Sequence, residues 1–178
     1  GKKMDQKRLN EIIRVDHAGE HGAIAIYKGQ IKTLELIGDK KTLPIIYEML
    51  EGEKAHAKKF DELVDKKKTR VTALMPLWHL SGFTLGVVSA LGGRDSLMAC
   101  TEAVEEVIDK HYSDQISELE NSGKESEILD VIKKFHADEL AHEEIAKNEI
   151  SENTPLLNAF KKVVKVGCKA AISISEKI

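Results

Sequence analysis

The sequence predicts an all-α protein, a four-helix bundle made of two repeated helical hairpins. Charged residues make up 32% of its 178 residues and only three are prolines, a composition typical of long, solvated helices. A chain of this length fits one domain with a substantial core, so we expect residues 1–178 to form a single domain. The net charge of −3 mixes both signs along the chain and gives no electrostatic signal for nucleic acid as a partner.

Capping and turn residues set the predicted ends of the helices. Thr42 and Asp95 are predicted N-caps, and Pro44 falls in the first turn after Thr42. The predicted helices are, in chain order, Asp5–Ile37, Thr42 to the basic run at 66–68, Asp95 to the turn at 121–123, about Lys124 to Ile150, and Thr154 almost to Ile178.

A pattern of glutamate and histidine occurs twice. In each copy a lone glutamate is followed by a Glu-x-x-His, 33 residues later in the first copy and 34 in the second. The six residues are Glu20, Glu53 and His56, then Glu105, Glu139 and His142. Residues three apart on an α-helix share a face, so each Glu-x-x-His can reach one metal ion or two adjacent ones. This set of ligands is typical of a two-iron carboxylate site inside a four-helix bundle.

The repeat extends beyond these six residues and decides between two adjacent glutamates. When Glu20 is aligned with Glu105, other pairs match: Ala18 with Ala103, Tyr27 with Tyr112, Gln30 with Gln115, Ile31 with Ile116, and Leu34 with Leu119. Glu106 would give a more equal spacing but would break these matches, so Glu105 is the predicted ligand. We therefore predict two hairpins, at about 5–66 and 95–150, that each supply half of one site.

The donor types indicate the metal and its chemistry. Mixed carboxylate and imidazole donors suit iron or manganese better than structural zinc, which favours closed, thiolate-rich sites. Six ligands on two cations leave coordination positions open, as reaction with dioxygen requires. Four buried carboxylates also need cations to offset their mutual repulsion. The alternative is a metal-free bundle whose acidic faces are solvated.

Two kinds of neighbouring residue are candidates for supporting the metal ligands. Asp138 precedes Glu139 and can orient a histidine of the other hairpin through its ring N–H, although Gly52 holds the equivalent place in the first half. Tyr27 and Tyr112 lie seven residues beyond the lone glutamates and point the same way. Core packing explains the two tyrosines as well as a functional role does.

Four further histidines have weaker support. His17 and His136 each lie three residues before a predicted ligand, but the repeat pairs neither with another histidine. We expect both to be surface groups or neighbours of the ligands. His21 and His79 belong to no pattern in the sequence.

One segment has no counterpart in the other half. Residues 71–93 contain no charged side chain and are long enough to span a bilayer. Pro76 and four glycines argue against one clean spanning helix, and a span would put the two half-sites on opposite sides of the membrane. We predict a hydrophobic crossover helix that lies against or dips into a membrane. The alternative is a buried crossover helix of a soluble bundle.

The last predicted helix, residues 155–177, is basic and amphipathic. A broad apolar stripe, which includes Leu156, Phe160 and Val164, runs beside lysines such as Lys161 and Lys165. A helix of this kind can lie in the interface of an anionic membrane. Apolar residues at helical spacing can equally face a core.

Several short motifs combine along nearly the whole chain: RVDHAGE at 14–20, EKAHAKKF at 53–60, LMPLW at 74–78, MACT at 98–101, AVEE at 103–106, HY at 111–112, GC at 167–168 and SE at 175–176. With these motifs the chain resembles the 5-demethoxyubiquinone hydroxylase family, the two-iron monooxygenases of ubiquinone biosynthesis. The resemblance implies a ferritin-like bundle bound peripherally to the inner membrane, on the matrix side in mitochondria or the cytoplasmic side in bacteria.

The resemblance also implies a reaction and its participants. Two iron ions, held by the six residues of the repeated pattern, would use dioxygen to hydroxylate the ring of a polyprenylated 5-demethoxyubiquinol. NADH is an implied external reductant, and a lipid-binding accessory protein is an implied partner. His111 and Tyr112 become candidate contacts with the substrate or the electron donor.

Two other functions fit the ligand pattern. One is a soluble iron-binding or peroxide-scavenging protein similar to ferritin and rubrerythrin, which would have no reason for a long uncharged crossover. The other is a catalytically silent protein that binds a membrane surface through the same bundle.

Overall fold

The computed structural model describes residues 5–123 and 126–178, apart from the side chain of residue 126. These residues form six α-helices and no strand, which confirms the predicted all-α fold. The helices are α1 (Gln6–Ile37), α2 (Leu43–Lys66), α3 (Met75–Leu91), α4 (Arg94–Ser122), α5 (Ser126–Glu149) and α6 (Pro155–Lys177).

The ends of α1 follow from local chemistry, as predicted. The Asp5 carboxylate accepts a hydrogen bond from the Arg8 N–H at 2.8 Å, which satisfies one of the free donors of the first turn. At the other end Gly38 has a φ of 76°, a left-handed conformation that glycine adopts without strain.

The start of α2 lies where we predicted it, but the predicted role of Thr42 is wrong. The backbone of Thr42 is already helical (φ −83°, ψ −31°), and its side chain makes no capping bond. Its hydroxyl instead donates to Asp39 Oδ2 at 2.9 Å, and Asp39 Oδ1 accepts from the Thr42 N–H. Asp39 therefore organises this turn.

The prediction that Asp95 caps α4 is also wrong. Gly93 is the N-cap, with a φ of 101°, and Asp95 lies inside the first turn. The Asp95 carboxylate accepts bonds from the Ser151 N–H at 2.9 Å and the Ser151 hydroxyl at 2.7 Å, which tie α4 to the chain after α5. The predicted start of α5 at Lys124 lies outside the described residues.

The two hairpins, α1 with α2 and α4 with α5, pack against each other around a common core. Large side chains from all four helices are fully buried there: Ile12, Ile13, Tyr27, Ile46, Phe60, Leu97, Met98, Tyr112, Leu119 and Ile128. α3 and α6 lie outside this core, α3 against α1 and α4, and α6 against α4 and α1.

The crossover helix α3 meets α1 backbone to backbone. A Cβ added to Gly29 of α1 would lie 2.2 Å from the Phe83 carbonyl oxygen, and one added to Gly86 of α3 would lie 2.1 Å from the Ile26 carbonyl oxygen. Because α3 turns small residues toward α1, large apolar side chains such as Leu80 remain exposed. Among the described residues no helix combines the length and apolarity that crossing a bilayer requires.

We expect Gly29→Ala to destabilise the fold by about 1–3 kcal/mol, because its methyl group would overlap the α3 backbone. Gly22→Ala is the matched control in the same helix, since a Cβ there meets nothing within 4 Å. That change should be neutral or stabilise by up to about 1 kcal/mol through helix propensity. Urea unfolding of both variants measures the difference, and equal stability would contradict the close approach of α1 and α3.

Candidate metal centre

The structure brings the six residues of the repeated pattern together in the middle of the bundle. They form two overlapping groups of four, in each of which one ligand atom per residue lies within 4.8 Å of the others. The first group is Glu20, Glu53, His56 and Glu139, and the second is Glu53, Glu105, Glu139 and His142. The two groups share Glu53 and Glu139, and all four carboxylates are 0% exposed.

The shortest contacts in this cluster cross from one hairpin to the other. His56 Nδ1 of α2 lies 3.0 Å from Glu139 Oε1 of α5, and His142 Nδ1 of α5 lies 3.1 Å from Glu53 Oε1 of α2. Each histidine therefore faces a glutamate of the opposite hairpin. Neither hairpin can form the cluster alone.

The two tyrosines reach the cluster in the same crossed manner. The Tyr27 hydroxyl donates to Glu105, and the Tyr112 hydroxyl donates to Glu20. Burial first, and then the neighbouring carboxylates, raise the pKa of both phenols, so both stay protonated and act as donors. The hydroxyls therefore orient the two lone glutamates, in addition to the packing of the rings in the core.

Asp138 contacts the outer edge of one histidine. Its Oδ2 accepts a hydrogen bond from His56 Nε2 at 2.8 Å, which leaves Nδ1 of that ring facing the carboxylates. At the equivalent position of the other hairpin, an added Cβ on Gly52 would lie 3.0 Å from Cε1 of His142. The His142 ring occupies the space that a side chain would need there, so the two halves differ.

Electrostatics of the cluster favour positive charge. Burial lowers the pKa of His56, but hydrogen bonds to Glu20 and Glu53 outweigh it and raise the pKa to about 11. Burial also lowers the pKa of His142, but hydrogen bonds to Glu105 and Glu53 outweigh it and raise the pKa to about 10. Burial and the nearby Glu53 charge raise the pKa of Glu20. Protons on these groups offset the carboxylate charge, and metal cations can replace them.

The residues fit a pair of metal ions. In each of the four carboxylates Oε2 is buried and has no hydrogen-bond partner among the described residues. An unpartnered buried carboxylate oxygen is costly unless a cation contacts it. Oxygen and imidazole donors without thiolates suit iron or manganese.

Two adjacent glutamates of α4 have different surroundings. Glu105 is buried in the second group of four, whereas Glu106 pairs with Lys165 of α6 at 2.7 Å.

His136, considered above as a neighbour of the ligands, instead contacts Asp109 of α4.

His111 belongs to a separate polar group next to Tyr112. Gln115 Nε2 lies 2.9 Å from His111 Nε2, and the same ring nitrogen lies 3.4 Å from the fully buried Asp16. Burial would lower the pKa of His111, but Asp16 raises it. His111 is partly exposed, so this group extends from the surface to the tyrosine that contacts Glu20.

One histidine cluster, on the outer side of α1 and α2, was not predicted from the sequence. His17 and His21 both contact Asp61 Oδ1, at 2.8 and 2.9 Å. Burial and the neighbouring His21 lower the pKa of His17. Asp61 is more than 40 residues away in the chain from His17, and no repeat marks it, so only the packing of α2 on α1 reveals this cluster.

An apolar cleft lies beside the metal cluster. It has a volume of about 360 Å³ and is lined by α1, α3, α4 and α6, including Gly19 next to Glu20 and Val104 next to Glu105. The Trp78 indole N–H donates to the Ser175 hydroxyl at 2.8 Å, which joins α3 to α6 along its wall. The described residues of α2 and α5, which carry both histidines, do not line it.

Fold and cluster together define a ferritin-like four-helix bundle with a candidate two-metal carboxylate centre. The family described as "Ubiquinone biosynthesis protein COQ7" matches residues 7–175, and the chain belongs to this family.

Three relatives illustrate the similarity. The "NADPH-dependent 3-demethoxyubiquinone 3-hydroxylase, mitochondrial" of Dictyostelium discoideum is 45% identical, over 99% of this chain and 80% of the relative. The protein of the same name from Homo sapiens is also 45% identical, over 98% and 80%. The "5-demethoxyubiquinone hydroxylase, mitochondrial" of Saccharomyces cerevisiae is 34% identical, over 96% and 78%.

We expect Asp138→Ala to weaken metal binding about 10- to 100-fold, because the His56 ring loses the acceptor that fixes its orientation. Asp130→Ala is the matched control, an exposed aspartate of the same helix. Anaerobic titration with ferrous iron against a competing chelator measures both affinities. If Asp138→Ala and Asp130→Ala bind iron equally, Asp138 does not support the centre.

Proposed function

We propose that this protein is a diiron monooxygenase of ubiquinone biosynthesis that hydroxylates the ring of a polyprenylated demethoxyubiquinol with dioxygen. The observation that carries the proposal is the position of the buried carboxylate and histidine cluster directly beside an apolar cleft. The names of the relatives support the substrate class and the reaction.

The two groups of four suggest how two iron ions would be held. Glu53 and Glu139 belong to both groups and would contact both ions. The other ligands would be Glu20 and His56 for one ion, and Glu105 and His142 for the other. Iron bound there would supply the electron-transfer chemistry that activates dioxygen.

The cleft would receive the isoprenoid tail and direct the ring toward the centre. Its lining is almost entirely apolar and includes Gly19 and Val104, the chain neighbours of the two lone glutamates. The histidines approach the cluster from α2 and α5, on the other side. A substrate in the cleft would therefore reach the metals without displacing either imidazole, and its apolar body would exclude water from the reacting atoms.

We further propose that His111 and Tyr112 contact the substrate or the electron donor. Tyr112 holds Glu20 through its hydroxyl, and His111 is partly exposed beside it. The Dictyostelium and human relatives are named NADPH-dependent, so a nicotinamide nucleotide, NADPH or NADH, is the proposed external reductant.

The exposed apolar side chains of α3 and α6 support a peripheral position on a membrane. Leu80 of α3 and Leu156 of α6 are 68% and 82% exposed, and both helices border the cleft. A lipid substrate could then enter the cleft directly from the bilayer. The relatives are named as mitochondrial, which supports a mitochondrial location. The matrix face of the inner membrane as the surface and a lipid-binding accessory protein as the partner are proposed from the family resemblance.

We expect Glu139→Ala to lower hydroxylation by at least about 100-fold, because it removes a carboxylate common to both metal groups. Glu144→Ala removes an exposed glutamate from the same helix and should retain wild-type turnover. Iron-loaded protein is incubated in air with a demethoxyquinol and NADPH or NADH, and the product is analysed by mass for one added oxygen.

The same assay separates this function from the alternatives. Wild-type turnover by Glu139→Ala, with a helical circular dichroism spectrum in both variants, would refute the site assignment. Rapid peroxide consumption by the wild type without a gain in product mass would favour a scavenger similar to rubrerythrin. The absence of both hydroxylation and peroxide consumption would favour a catalytically silent membrane-binding protein.

We expect Ala171→Trp to impair turnover of long-tailed substrates more than of short-tailed ones, because the indole would fill the cleft. Ala170→Trp adds the same group on the exposed side of α6 and should leave both rates near wild type. A loss of about tenfold or more in kcat/KM, equivalent to roughly 1.4 kcal/mol, is the expected effect on the long-tailed substrate. Equal effects of the two variants would argue against the cleft as the tail site.

A further inference from the structure

A second group of metal-binding side chains lies apart from the six residues of the carboxylate cluster. It consists of His17 and His21 of α1 and Asp61 of α2, which we call the His-Asp cluster. One ligand atom from each residue lies within 4.8 Å of the other two. His17 is buried, His21 is half-buried and Asp61 is exposed, so the cluster opens to solvent on the outer side of the first hairpin.

The two imidazoles converge on a single carboxylate oxygen. His17 Nε2 lies 2.8 Å from Asp61 Oδ1, and His21 Nε2 lies 2.9 Å from the same atom. The histidines are four residues apart, which puts both rings on one face of α1. Two ring nitrogens and one carboxylate oxygen from neighbouring helices therefore point at one small volume.

The dimensions of the cluster suit an ion of the size of zinc. Zinc binds imidazole nitrogen and carboxylate oxygen at about 2.0–2.2 Å, which in a tetrahedral site separates the donor atoms by roughly 3.3 Å. An outward shift of a few tenths of an ångström by Asp61 would open the observed contacts to this separation. The side chain of Asp61 is 52% exposed and is free to make this movement.

We propose that His17, His21 and Asp61 bind a zinc ion, independently of the diiron centre. Three protein donors leave a fourth tetrahedral position for a water molecule. The ring of His79 on α3 is 6.3 Å from that of His21, centroid to centroid, and is not required as a ligand. Zinc suits this set because it accepts imidazole and carboxylate together and needs no change of oxidation state.

Zinc in this position would join α1 to α2 close to the metal cluster. His21 is the residue after Glu20, and Asp61 is five residues beyond His56 on α2. The ion would thereby fix two helices that carry iron ligands. Because it would bind the folded protein and not the unfolded chain, zinc should raise the Tm.

The test is a zinc titration of the iron-loaded protein under anaerobic conditions, followed by dialysis and elemental analysis. The wild type should retain one zinc ion in addition to its iron, and zinc should raise its Tm. Asp61→Ala and His21→Ala should each lose the zinc ion and the Tm response. Asp65→Ala removes an equal charge one helical turn along α2 and should keep both.

A second measurement separates this site from the diiron centre. Glu139→Ala, which lacks a shared iron ligand, should still bind the zinc ion, and Asp61→Ala combined with Glu139→Ala should not. Zinc retention by Asp61→Ala, or no zinc in the wild type beyond what the iron site takes up, would overturn the proposal. Failure of the wild type to bind iron, with one zinc ion still bound, would contradict the proposed oxygenase function and leave the zinc site standing.

Discussion

The structure depends on four carboxylates that share one buried volume between two helical hairpins. Glu20, Glu53, Glu105 and Glu139 are all 0% exposed, and their mutual repulsion in a medium of low dielectric constant would separate the helices unless positive charge offsets it. These carboxylates stabilise a positive charge on the neighbouring imidazoles, so the pKa of His56 and of His142 is raised despite burial. Cations between the hairpins would meet the same requirement.

Because the ligand pattern is duplicated, each hairpin carries half of the carboxylate cluster, and this favours association of the two hairpins. Each hairpin contributes a lone glutamate, a Glu-x-x-His and a tyrosine, and their contacts run to the other half. Tyr27 reaches Glu105 and Tyr112 reaches Glu20, so each lone glutamate is oriented from across the bundle. In a single hairpin these groups would be solvated by water, whereas in the bundle they are buried and bonded to partners in the other half. Polar pairing therefore adds to apolar burial in fixing the register of the four helices.

Capping and turn residues were sufficient to predict the approximate bounds of the helices, and the repeated pattern was sufficient to predict the six clustered residues. The two cap predictions were wrong because the predicted residues have other hydrogen-bond partners. Thr42 is bonded to Asp39, and the Asp95 carboxylate accepts from Ser151. The tyrosine contacts could not be decided because ring direction depends on how the hairpins pack. The His-Asp cluster was missed because Asp61 carries no sequence signal, and apolar residues that line the cleft look like core residues in the sequence.

The helices α3 and α6 have no counterparts in the repeat and make the two faces of the cluster different. The proposed reaction needs an entrance for its substrate on one of these faces. The duplicated bundle alone would treat both faces of the cluster alike, but α3 and α6 both lie on the side of α1 and α4. Close contact at Gly29 and Gly86 holds α3 against α1, while the Trp78 bond to Ser175 joins α3 to α6. The cleft thus has an apolar wall that does not depend on any metal ligand. The part of this wall that α3 and α6 form carries no residue of the carboxylate cluster, so changes there would alter the lipid that the cleft is proposed to accept without disturbing the centre.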